Sequence, residues 1–131
     1  GIFLMAARRL KELMAEANGM VEIIAAEDAV KALGDAGVLF VDVREKHERD
    51  GGYIAGSIHA PRGFLEMITD VDGPMHNADL VCGKTLILYC GSGGRSALAG
   101  KTLADMGITD VRYMAGGLGA WKDAGATLKT G

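Results

Sequence analysis

The chain has 131 residues, enough for one domain around one core, and 49% of them are apolar, which excludes a disordered chain. A formal net charge of −3 gives no basis for nucleic acid or an anionic membrane as partner, so any anion site has to be local. Two cysteines are too few for a disulfide framework, and a free thiol suits a reducing compartment, so a cytoplasmic location is expected. No apolar run approaches bilayer length. The short run Ile2 to Met5 precedes Arg8, Arg9 and Lys11, the reverse of the order in a secretory signal.

Phe3, Ala7, Leu10, Met14 and Ala17 recur at helical spacing and predict an amphipathic N-terminal helix stopped by Asn18-Gly19. Its apolar stripe needs a cover, expected on the outside of the sheet or on a second subunit. Residues 1–19 therefore read as a helical extension and 20–131 as the main domain. Val21 to Ile24 reads as a short strand, and Ala26 to Leu33 as a helix ended by Gly34. Val38 to Val43 is a near-continuous apolar run ending in Asp42-Val43, the pattern of a strand covered on both faces.

Arg44 to Asp50 predicts a short charged helix before Gly51-Gly52, and Ser57 to Ala60 a short strand closed by Pro61. Arg62 to Thr69 predicts another short helix. Asp70 to Gly83 is polar and irregular, a loop long enough to act as a lid. Thr85 to Tyr89 is a second buried strand, Ser96 to Met106 a helix stopped by Gly107, and Val111 to Met114 a last strand. Gly116-Gly117 then opens a final helix that carries Trp121 and ends at Gly125. Alternating strands and helices call for an α/β domain with a mainly parallel sheet of about five strands and helices on both faces. Ligands in such sheets bind at the C-terminal ends of strands, where Asp42, Cys90 and Met114 fall.

The segment Cys90-Gly91-Ser92-Gly93-Gly94-Arg95-Ser96 carries the most chemistry. It places a thiol at the end of a buried strand, facing the start of a helix. Backbone N–H groups and the helix dipole there favour thiolate and bind anions. Gly91, Gly93 and Gly94 leave the N–H groups free to turn inward, and Ser92 adds a hydroxyl. A plain core cysteine has no need of three glycines and an arginine behind it. Arg95 in the first helical turn opposes the dipole, so a ligand or a structural acid should compensate it.

Val41-Asp42-Val43-Arg44-Glu45 resembles the Asp-x-Arg signature of the rhodanese family of sulfurtransferases, and Tyr53 to Ile58 resembles the run that follows it. The Cys90 segment resembles that family's active-site loop, Cys-x-x-Gly-x-Arg-Ser, and Gly116-Gly117 with Trp121 its closing motif. The similarity runs from about Val21 to Gly125 in motif order. Gly52-Tyr53-Ile54 departs from the family's usual Gly-His-Ile.

The resemblance implies transfer of sulfane sulfur through a persulfide on Cys90. The donor would be thiosulfate or a persulfide, and the acceptor cyanide, a small thiol or a protein thiol, with no cofactor. It makes residues 91 to 96 the substrate-binding loop, with Arg95 holding the sulfonate of thiosulfate or fixing the loop, and gives Asp42 and Arg44 a supporting role. It leaves monomer and homodimer both open.

Two other functions compete. Related phosphatases and arsenate reductases use Cys-x5-Arg, whereas Cys90 to Arg95 is Cys-x4-Arg, a tighter loop suited to a sulfur bonded to the thiol. Non-catalytic modules of the same fold usually lack the cysteine. Cys82 is a poor redox partner, because an extended segment sets it up to about 26 Å from Cys90. Gly83-Lys84-Thr85 enters a strand where a P-loop enters a helix, and Gly91-x-Gly93 has Ser96 at the third glycine position of a dinucleotide fingerprint. His47, His59 and His76 have no metal-ligand spacing; His76 is placed to approach the site if the 70–83 loop closes.

Overall fold

The computed structural model describes residues 7–131. In chain order the elements are α1 (Leu10–Met20), β1 (Glu22–Ile24), α2 (Ala26–Lys31), β2 (Val38–Asp42), α3 (Lys46–Asp50), β3 (Ile58–His59), α4 (Leu65–Thr69), β4 (Thr85–Tyr89), α5 (Gly94–Asp105), β5 (Val111–Met114) and α6 (Gly117–Asp123). The five strands form one sheet in the order β1-β5-β4-β2-β3, and every neighbouring pair is parallel.

The two-residue period of the strands divides the core in two. Val41, Val43, Leu86, Leu88 and Cys90 face one side, where they meet Ala17 of α1, Leu65 of α4 and Ala97, Ala99 and Leu103 of α5. Phe40, Ile87, Tyr89 and Met114 face the other, against Ala26 and Ala29 of α2 and Leu118 and Trp121 of α6. Trp121 meets Phe40 edge to face, with ring centroids 5.7 Å apart, and donates its indole N–H to the Thr127 carbonyl at 3.0 Å. The strands at the centre are thus buried on both faces, which is why β2 and β4 are written as apolar runs.

Three expectations need correction. Helix α1 begins at Leu10, after an extended Arg9, so Ala7 is not helical, and Phe3 lies outside the described residues. The helix also runs through Asn18-Gly19 to Met20. Gly19 does not adopt the left-handed conformation that would stop it, and the Asn18 side chain accepts a hydrogen bond from the Tyr113 hydroxyl. The third correction concerns the 70–83 loop, which is no lid over Cys90. It is tied to α4 by the Asn77 N–H on the Ile68 carbonyl, then makes a 3₁₀ turn over Ala78–Val81 that buries Leu80. It ends in a cleft shared with Met106 to Asp110, beyond the C-terminus of α5 and so at the opposite end of the sheet from Cys90.

Helix α1 docks on α5 within the same chain. The approach depends on Gly100, where an added Cβ would lie 2.8 Å from Val21 Cγ1. Gly100→Ala should therefore lower stability by about 1 kcal/mol, since overpacking outweighs the gain in helix propensity. Gly19→Ala, with open space around it, should raise stability by about 0.5 to 1 kcal/mol. Urea unfolding of both variants checks the opposite signs.

Candidate active site

Cys90 follows the last residue of β4 and is 1% exposed. The chain turns through Gly91 and Ser92 to Gly93, which caps α5 with φ +110°. Only glycine takes this conformation freely, and an added Cβ would also press on the Gly116 N at 3.3 Å. The turn brings the Gly93 N–H to 3.0 Å from Cys90 Sγ. Ser96, fully buried in the first turn of α5, sets its Oγ 3.6 Å from the same sulfur and donates to the Gly93 carbonyl at 3.0 Å.

Burial pushes the Cys90 thiol up. The Ser96 hydroxyl and the backbone N–H groups of Ser96, Gly93 and Ser92 outweigh it, and the net result lies below the ordinary thiol value. Ser92 contributes through its backbone, for the residue itself is exposed and its hydroxyl makes no hydrogen bond within the loop. Gly94 begins the helix with open space around it.

Arg95 makes no hydrogen bond to the sulfur, though its charge is felt there. Its two terminal nitrogens donate to the two carboxylate oxygens of Glu48, at 2.6 and 2.9 Å. The cation that opposes the helix dipole is thus met by a structural acid, which takes one N–H from each terminal nitrogen of the guanidinium. Glu48 also accepts the Glu45 N–H at 3.1 Å, closing the first turn of α3. Arg95, acting against burial and helped by the Glu45 N–H, holds the Glu48 carboxyl down to about 2.

Behind this pair stands a second ionic unit. Arg44 is buried and grips Asp42 through Nε and one terminal nitrogen, both at 2.9 Å. Its remaining donors reach the Glu48 carbonyl in the middle of α3 at 3.4 Å and the Gly52 carbonyl just past its end at 2.7 Å. Arg49 adds a contact to Asp42 at 3.3 Å and two to Ser57, and its guanidinium covers the Tyr53 ring at 4.4 Å. That stacking accounts for a tyrosine at position 53. Asp42 and Arg44 hold α3, and α3 presents Glu48 to Arg95; neither hydrogen-bonds to Cys90.

The third support comes from the β5–α6 turn. Leu118 donates its N–H to the Cys90 carbonyl at 2.9 Å. Gly117, at φ +57°, lies so close that an added Cβ would stand 2.5 Å from the Cys90 carbonyl oxygen. The Gly-Gly-x3-Trp motif is therefore a packing requirement of the cysteine loop. Cys82 is exposed before β4, with its thiol on the Asp79 carbonyl, and the whole strand separates it from Cys90. His76 makes no hydrogen bond to the loop, and its Nδ1 is buried without a partner. Among the described residues no three metal-ligating side chains cluster.

The sequence reading missed Glu48 and Arg49. Glu48 had a readable signal: it stands three residues after Glu45 at the start of a short helix, the spacing of a reciprocal cap. Its reach to Arg95, 47 residues away, had none.

A family model for the rhodanese-like domain matches residues 25–124, and the chain belongs to that family. It is 33% identical over 106 residues to a chloroplastic thiosulfate sulfurtransferase of Arabidopsis thaliana, covering 72% of this chain and 82% of that one. It is 37% identical over 94 residues to an uncharacterised protein of Synechocystis, covering 71% of this chain and 48% of the relative, so it spans about half of that protein's length. A solved structure from Rhodopseudomonas palustris, of unknown function and described as a possible tyrosine phosphatase, superposes with a TM-score of 0.89 at 38% identity, over 98% of this chain and 100% of that one.

Two predictions follow from this geometry. Gly117→Ala should cost roughly 2 to 4 kcal/mol, because the backbone it meets has nowhere to go, while Gly119→Ala, with open space, should be neutral or slightly stabilising. Thermal and urea unfolding distinguish them. The second concerns pH. A carboxyl lowered to about 2 in the folded state contributes stability that is present above its ordinary value of 4.5 and lost as pH falls towards 2. The stability gap between the wild type and Glu48→Gln should therefore be largest near neutral pH and shrink across that window.

Proposed function

We infer that this chain is a sulfurtransferase that carries sulfane sulfur on Cys90. The thiolate attacks the outer sulfur of thiosulfate, a Cys90 S–S bond forms, the donor's S–S bond breaks, and sulfite leaves with the electron pair. A persulfide donor reacts in the same way and releases a thiolate. The perthiolate then gives its outer sulfur to cyanide or a thiol, regenerating the Cys90 thiolate. Both steps are two-electron displacements and need no cofactor. Residues 20–131 carry this chemistry, and α1 braces α5 from outside.

One observation carries the reading: Cys90 Sγ lies 3.0 Å from the Gly93 N–H in a loop whose single arginine is committed to Glu48. Backbone N–H groups alone suit a sulfur bearing one negative charge. A phosphate dianion calls for a guanidinium turned inward and a longer loop, so the phosphatase description attached to the R. palustris structure is the weaker analogy. The lowered thiol also argues against a purely structural module, since a binding surface has no use for a nucleophile. The family membership and the sulfurtransferase relative point the same way.

Steady-state assays test this. The wild type should turn over thiosulfate with cyanide faster than it hydrolyses an aryl phosphate. Cys90→Ser should abolish that turnover and Cys82→Ser should keep most of it. Faster phosphate hydrolysis, or equal loss in both variants, would reverse the assignment.

A further inference from the structure

The Ser96 hydroxyl has two neighbours and one proton. It lies 3.0 Å from the Gly93 carbonyl, to which it donates, and 3.6 Å from Cys90 Sγ. With Cys90 as a thiol the arrangement is complete: S–H donates to Oγ, and O–H donates to the carbonyl. With Cys90 as a thiolate the sulfur can only accept. The hydroxyl lone pairs would then face an anion inside a fully buried pocket, and the arrangement is stable only if the O–H turns from the carbonyl to the sulfur.

We propose that Ser96 is a catalytic hydroxyl that switches hydrogen-bond partner with the charge on Cys90, donating to the attacking thiolate and returning to the Gly93 carbonyl when that charge moves outward. This deepens the sulfurtransferase reading and rests on it. Once a persulfide forms, Sγ becomes the neutral inner sulfur and the charge passes to the outer one. The hydroxyl is then free to go back, and only the backbone N–H groups still face Sγ. Ser96 so favours ionisation before attack without holding the sulfur afterwards.

Other charges around the loop are paired, apart from Glu45, which caps α3 near Arg95. Arg95 and Glu48 pair on α5 and α3, Arg44 and Asp42 pair at the end of β2, and Arg62 pairs with Glu66 beside α4. The α6 side presents Gly117 to Gly119, which do not ionise. The hydroxyl is the neutral group touching the sulfur that is able to change partner.

The test reads the thiol itself, so its outcome is separate from whether thiosulfate is the substrate. In a Cys82→Ser background, the rate of iodoacetamide alkylation of Cys90 is followed against pH. Ser96→Ala should move the midpoint up by about one unit, the loss of one charge-assisted hydrogen bond. Ser96→Thr, which restores the hydroxyl, should return it close to the starting value. An unchanged midpoint in Ser96→Ala, or Ser96→Thr behaving as alanine does, overturns the proposal. A measurement on the unsubstituted site covers the case in which Ser96→Ala does not fold. The Gly93 carbonyl carbon resonance should titrate with the alkylation midpoint as the hydroxyl leaves it, and a resonance that ignores the ionisation of Cys90 would refute the switch.

Discussion

A buried sulfur anion exists only where N–H groups replace the water it has lost. Cys90 is almost fully enclosed, and burial by itself would keep it a thiol. Every other feature of this end of the sheet can be understood as holding a few N–H groups and one hydroxyl within reach of that sulfur. Three of the loop's residues are glycines, so it has few side chains with which to resist deformation. It is held from outside.

Three supports do this, each from a different part of the chain. Strand β4 fixes the cysteine from below, between β2 and β5. The β5–α6 turn closes on the loop backbone through Gly117 and Leu118, a contact so tight that a single methyl group would break it. On the third side stands a chain of polar contacts: Asp42 binds Arg44, Arg44 binds backbone carbonyls in and just after α3, and Glu48 of α3 binds Arg95. A buried arginine with one carboxylate would be a poor way to gain stability alone. Here it serves to position a short helix that has no buried residue of its own.

The elements that carry most of the burial were legible in the sequence, because apolar runs and glycine stops report directly on packing. β2, β4, β5 and the Cys90 loop followed from composition along the chain, and the resemblance in four motifs agreed with the family match at residues 25–124. Helix α1 was misjudged at both ends. Its start was read from spacing through Ala7, which precedes the helix, and its stop from Asn18-Gly19, through which the helix runs while Asn18 bonds Tyr113. The 70–83 loop was read as long enough to act as a lid, yet Leu80 anchors it in the core. The roles of Arg95 and Glu48 depended on a contact between distant segments, and no local pattern encodes which acid a given arginine will meet.

The central claim is that the cradle exists to form and hold a persulfide on one particular sulfur. The most direct measurement is mass spectrometry of the intact chain and its peptides after exposure to thiosulfate. The account predicts one added sulfur, located on the peptide that contains Cys90 and removed by cyanide. An unmodified Cys90, or sulfur carried on Cys82 in its place, would contradict it.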